Sequence, residues 1–141
     1  MDVSASFSMC GAALTAQRAK MDVITSNLAN ADVTRTAEGG PYRKKSVALE
    51  SEPVKDKFDK SLGDALKTVR VAEVTEDASP PRMVHNPAHP DANANGFVAM
   101  PNISLVSEMA DMIAVSRAYE AMVTAFDATK NMAIKTLDMG K

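Results

Sequence analysis

The chain has 141 residues, enough for one modest domain, with 45% hydrophobic residues but only 4% aromatic residues and no tryptophan. Its formal net charge of −2 gives no field favouring nucleic acid or an anionic membrane. The single cysteine, Cys10, excludes an intramolecular disulfide.

The first element is a long amphipathic helix. Phe7, Cys10, Leu14, Gln17, Met21, Ile24, Leu28 and Ala31 recur at alternating steps of three and four. Ser4 or Ser6 is positioned to cap its start, and the turn-prone stretch from Asn30 to Asp32 predicts its end. Such a helix is about 40 Å long and marginal by itself in water, so its stripe needs a partner. Asn27 and Asn30, three apart near its end, read either as amides of a fraying terminus or as hydrogen-bonding groups of a subunit contact.

The middle segment, residues 33–102, reads as irregular and β-containing. Glu38-Gly39-Gly40-Pro41-Tyr42 is a turn signal, and 42–50 predicts a short strand with Val47 and Leu49 on one face. The charged, mixed-sign stretch 51–65 predicts a mobile loop, and 66–74 a second strand carried by Val69, Val71 and Val74. Pro80, Pro81, Pro87, Pro90 and Pro101 then predict an extended run over 80–101, because proline fixes φ and is excluded from helix interiors.

The last element, 103–141, is a second long helix of about 50 to 55 Å. Leu105, Met109, Met112, Ser116, Tyr119, Val123, Phe126, Lys130, Ala133 and Leu137 form its stripe, and Gly140 is its stop. The fold expected is therefore mainly α: two terminal helices, 1–32 and 103–141, paired as a coiled-coil-like hairpin around a small middle segment. Leu14, Met21, Ile24 and Leu28 would face Met109, Met112, Tyr119, Val123, Phe126 and Ala133 across that seam.

Catalytic and ligand-binding readings find little support. His85 and His89 are four apart, but Pro87 and Pro90 preclude the helix that would align them on a metal. There is no Gly-x-Ser-x-Gly elbow and no glycine-rich phosphate loop. No run reaches the roughly 20 apolar residues of a membrane span. Neither an enzyme nor a cofactor is expected, and an assembling structural protein is; a helical adaptor of a secretion apparatus and a small hydrolase using His85, His89 and Asp91 are the competing readings.

Ser26-Asn27-Leu28-Ala29-Asn30-Ala31 resembles the amide-bearing motif near the N-terminus of bacterial flagellar rod and hook proteins. Glu38 to Arg43, the stretch from Pro90 through Asn102, and Ser116-Arg117-Ala118-Tyr119-Glu120-Ala121 resemble successive segments of one branch, the flagellar basal-body rod protein C family. Three residues depart from that pattern: His85 and Phe97 stand where the family usually has tyrosine, and Met122 where it commonly has asparagine. The resemblance implies a subunit of the proximal rod, with another axial subunit of rod or hook as the alternative, exported by the flagellar type III apparatus without a cleaved signal and assembled with copies of itself and other rod proteins in the periplasm. It implies an inner layer made of the terminal helices, and subunit contacts drawn from Asn27, Asn30, Tyr42, Pro90, Gly96, Phe97, Pro101 and Asn102. It implies no cofactor, no nucleic acid and no insertion into the membrane.

Overall fold

A computed structural model describes residues 3–53 and 67–140. Helix α1 spans Val3–Ala29, strands β1 Lys45–Pro53 and β2 Lys67–Glu76 form one antiparallel ribbon, β3 Arg82–His85 and β4 Phe97–Met100 form another, and helix α2 spans Leu105–Met139. The architecture is two long helices joined through two small antiparallel sheets. Ser4 and Ser6 lie inside α1 and do not cap it. The stretch expected to be a mobile loop is ordered at its start, since Ser51, Glu52 and Pro53 close β1 against β2, and residues 54–65 of it lie outside the described residues.

The helices run antiparallel, side by side. Phe7 meets Phe126 edge to face with ring centroids 5.1 Å apart, the Ser116 hydroxyl points at the Met21 sulfur at 3.9 Å, and Asn27 reaches Glu108. Edge-to-face aromatic pairs contribute about 0.5 to 1.5 kcal/mol beyond their area. With Phe7 already opposite Phe126, the last turns of α2 run past the described start of α1, and Met132, Ile134, Leu137 and Met139 are exposed there.

The face that α2 presents to the rest of the chain departs from the stripe expected of it. Glu108, Met112, Val115, Tyr119, Met122, Phe126, Thr129 and Ala133 are covered or half-covered, at alternating steps of four and three. Met112, Tyr119, Phe126 and Ala133 belong to both sets. Ser116, half-covered and in contact with Met21, also stays at the seam, while the other alternate positions shift back by one residue, about 100° around a helix. Met109 is therefore 57% exposed and Val123 37% exposed, and both are removed from the internal seam together with Leu105, Lys130 and Leu137. The seam takes Glu108 and Met122 instead. In α1, Ile24 is buried, Leu14, Met21 and Leu28 are half-buried, and small Ala5 and Ala16 are more deeply covered than any of the larger stripe residues.

Helix α1 is the central element. It contacts α2 along one side and both strands of the β1–β2 ribbon along another, leaving a narrow exposed strip of Ser4, Ser8, Thr15, Arg18, Asp22, Thr25 and Ala29. Thr15 and Thr25 satisfy their hydroxyls on carbonyls four residues back, as Thr124, Thr129 and Thr136 do in α2.

Between α1 and β1 the chain doubles back: the Tyr42 amide donates to the Val33 carbonyl and the Thr36 amide to that of Gly40. Gly39 and Gly40 both have positive φ, 91° and 81°, a consecutive pair that side chains disfavour strongly. The β1–β2 register, Lys45 opposite Glu76 through Pro53 opposite Lys67, shifts at a bulge between Ala48 and Leu49. The proline-rich stretch is a hairpin rather than one extended run. Strands β3 and β4 pair, and residues 86–96 form the turns between them. Prolines 80, 81, 87, 90 and 101 all fall outside the strands, where no ladder hydrogen bond is lost. Val98 of β4 is 2% exposed and, with Ile103, adds to a small core.

Helix α2 starts cleanly. Ser104 caps it, its hydroxyl accepting from the Ser107 amide at 3.4 Å, and Gly140 closes it with its amide on the Leu137 carbonyl. An aspartate separates the two phases of this helix. Met122→Asp places a charge in the seam and is expected to lower stability to urea by about 2 to 4 kcal/mol, whereas Val123→Asp costs under about 1 kcal/mol. Chemical denaturation followed by circular dichroism checks it; equal losses, or the reverse order, would return Val123 to the seam.

Candidate functional site

Three distant parts of the sequence converge on Asn27. Its position in the last full turn of α1 faces both the start of β1 and the first turn of α2, and it is 1% exposed. The amide exchanges two hydrogen bonds with the backbone of Lys45, accepting from its N–H at 2.9 Å and donating to its carbonyl at 2.9 Å. That is the pattern of a β-ladder rung made with a side chain, and it ties the first residue of β1 to the helix. The remaining proton goes to Oε2 of Glu108 at 3.0 Å, and Oδ1 also accepts from the Tyr42 hydroxyl at 3.2 Å. An asparagine amide has two donors and two acceptor sites, and all four are used within the chain.

Glu108, also 1% exposed, is the buried charge of this junction. Lys44 places its ammonium 2.6 Å from Oε1. The contact is an ion pair by distance, but its approach lies off the direction of a directed hydrogen bond, so Oε1 is compensated by charge more than by geometry. The N-terminal end of α2 adds favourable potential, since Glu108 lies in the first turn. The Lys44 side chain is 33% exposed, so its removal leaves the buried Glu108 carboxylate with less compensation at a cost of about 1 to 3 kcal/mol. Tyr42 completes the arrangement: its hydroxyl shares a hydrogen bond with Ser26 at 3.1 Å, and the Lys45 ammonium stands 5.9 Å from the centre of its ring.

The residues expected at subunit contacts divide accordingly. Asn27 spends its two donors and two acceptor sites within the chain. Asn30 donates to the Ser26 carbonyl at 2.8 Å and finishes α1 as a local cap. Pro101, between β4 and α2 in the chain, is fully buried. Tyr42 and Gly96 are half-buried, while Pro90, Phe97 and Asn102 are exposed. Phe97 stacks edge to face on His85 at 5.1 Å. His85 lies on β3 and His89 in the following turn, where His89 Nδ1 accepts from the Asp91 amide and Thr34 donates to the Asp91 carboxylate at 2.8 Å. At the mouth of the β1–β2 ribbon, Asp77 is held below the usual carboxylate range by the hydroxyl and then the amide of Ser79.

Glu108 is the participant that sequence reasoning missed. A carboxylate adjacent to an apolar stripe reads as solvated, and the available signal was its place four residues after Ser104, a capping serine.

A second feature is the outer flank of α2. Leu105, Val106, Met109 and Ile113 cluster near its start and are all exposed.

These two features, a helix pair pinned at one end and a terminal helix left half-uncovered, define an assembling structural protein, and known sequences agree. A family described as flagella basal body rod protein matches residues 11–35, and one described as flagellar basal body rod FlgEFG protein C-terminal matches residues 94–139. The flagellar basal-body rod protein FlgC of Bacillus subtilis (strain 168) is 44% identical, covering 96% of this chain and 97% of that protein. FlgC of Salmonella typhimurium is 39% identical with 96% of each covered, and FlgC of Borreliella burgdorferi 39% identical with 94% and 93% covered. The chain belongs to the FlgC family of flagellar basal-body rod proteins, as a structural rod subunit and not an enzyme.

Asn27→Asp sets a carboxylate against Glu108 and removes the donor to Lys45. It is expected to destabilise the subunit by about 3 kcal/mol, and Glu108→Gln in the same chain to restore about 1 to 2 kcal/mol of that loss. A double-mutant cycle in urea measures the coupling, and strictly additive losses would show that the two side chains do not interact.

Proposed function

We propose that the subunit builds the proximal part of the flagellar rod, the shaft that transmits torque across the periplasm, with its two helices as the inner layer of the tube. In this reading α1 and α2 pair in a coiled-coil-like seam inside each subunit, and the uncovered flank of α2 packs against helices of neighbouring rod subunits. The middle segment faces outward and presents Pro90, Phe97 and Asn102 to neighbours. The chain reaches the rod through the flagellar type III apparatus.

The observation that carries the proposal is the imbalance between the helices. α1 is covered on all but a narrow, largely polar strip, whereas α2 exposes Leu105, Val106, Met109, Ile113, Met132, Ile134 and Leu137. Full burial of one such side chain contributes about 1.5 to 3 kcal/mol, so a neighbour that covers several gains enough to offset ordering its own contact surface. Helical tubes arise when the contacting patches on successive subunits differ, so that no closed dimer satisfies them.

Met109→Asp and Ile113→Asp test this because neither residue lies in the internal seam. Each is expected to leave the thermal melt of the purified subunit within about 0.5 kcal/mol of the parent while abolishing swimming in soft agar and recovery of the subunit in isolated basal bodies. Detection of the subunit outside the inner membrane shows whether export continues. Full motility with both substitutions would remove this flank from assembly, and lost export would reassign it to secretion.

A further inference from the structure

Residues 93–96 form the turn that leads into β4, and they include an asparagine followed by glycine, Asn95–Gly96. Where no side chain shields the following amide nitrogen, that nitrogen can attack the asparagine side chain. Asn95 is exposed. We propose that Asn95–Gly96 is a site of spontaneous deamidation and isoaspartate formation that the folded hairpin holds closed.

The reaction needs no co-reactant but water. The Gly96 nitrogen gives up its proton to solvent and bonds to Cγ of Asn95; the side-chain nitrogen takes a proton and leaves as ammonia, forming a five-membered imide. One water then opens the imide. Opening at Cγ leaves aspartate with the main chain intact, and opening at the main-chain carbonyl leaves isoaspartate, with the chain continuing through the former side chain.

The turn obstructs the first step at several points. The Gly96 N–H donates to the Asn93 carbonyl at 2.9 Å, so its proton is engaged and its nitrogen is directed along the turn. The Gly96 carbonyl accepts from the Asn86 amide at 2.9 Å, which ties the same peptide unit to the other side of the hairpin. Gly96 has φ of +76°, and a β-carbon there would stand 3.1 Å from Pro87 Cγ and 3.2 Å from His85 Nε2. The residue is wedged against that side and cannot swing freely. Asn93 clasps the turn again through its side chain, whose Oδ1 accepts from the amides of Asn95 and Phe97 at 2.9 Å each. Closure of the imide requires the Asn95–Gly96 peptide to rotate, and that rotation breaks this set together.

The two products differ in consequence. Aspartate at 95 keeps the backbone of the turn. Isoaspartate adds a methylene to the main chain between Asn93 and Phe97, where the Asn93 amide donates to the Phe97 carbonyl at 2.9 Å, and it shifts the register that places Val98 in the core. A chain that has lost its fold is therefore open to a change that obstructs its refolding.

The experiment compares the full-length chain in native buffer and in concentrated urea, both mildly alkaline and at the same temperature, by peptide mass mapping and enzymatic detection of isoaspartate. The expected result is a time-dependent amide-to-acid mass gain at Asn95 in urea, slowed about tenfold or more in the native protein, as reactions requiring local opening are. Asn95→Gln, which lengthens the side chain and disfavours the imide, is expected to remove the gain. No reaction at Asn95 in urea would overturn the site, and equal rates in both conditions would overturn the protection by the hairpin.

Discussion

A buried polar junction holds this molecule together. Asn27 and Glu108, each almost inaccessible to solvent, meet at 3.0 Å, and through them the end of α1, the start of β1 and the first turn of α2 occupy one place. Apolar surfaces alone would permit the helices to slide by a turn at modest cost, because both carry alanine and methionine around much of their circumference. A hydrogen-bonded amide against a carboxylate does not slide: a shift of one turn leaves a buried carboxylate and one amide proton without partners. Polar groups inside helix pairs can fix register in this way, and here the same group also fixes the sheet.

The rest of the architecture follows. Once Asn27 holds Lys45, the ribbon must start beside α1, and Gly39 and Gly40 with positive φ supply the reversal that brings Lys44 over Glu108. Once Glu108 is turned inward, α2 must present Met112, Val115, Tyr119 and Met122 to α1 and turn Met109 and Ile113 outward. The uncovered flank proposed to contact neighbours is thus a consequence of the same interaction that closes the subunit. One buried carboxylate sets the boundary between the closed seam and the uncovered flank.

Much of this was legible in the residues. Heptad spacing located both helices and came close to their ends, the turn signal before Tyr42 with the Val47–Leu49 alternation located β1 to within three residues, β-branched residues located β2, and the proline spacing excluded a helix from 80–101. The phase of α2 was not legible, for a physical reason. Apolar residues cover so much of this helix that two seams one residue apart, through Met109 and Val123 or through Glu108 and Met122, fit the periodicity, and hydrophobicity favours the seam without the glutamate. What decides is the pairing of Glu108 with Lys44 and Asn27, partners 64 and 81 residues away in sequence. The hairpin between 82 and 100 was not legible because proline permits a turn as readily as extension: Pro81 and Pro101 flank the paired strands, and Pro87 and Pro90 lie in the turns between them.

The protons on the Asn27 side chain report on the junction directly. In the isotopically labelled, folded subunit, exchange of its Nδ2 protons with deuterated solvent can be followed by nuclear magnetic resonance beside those of Asn95, which is exposed. Exchange at Asn27 is expected to be slowed about tenfold or more relative to Asn95, and Glu108→Gln to accelerate it. Exchange at Asn27 as fast as at Asn95, in a chain whose helices are formed, would contradict the claim that this junction joins them.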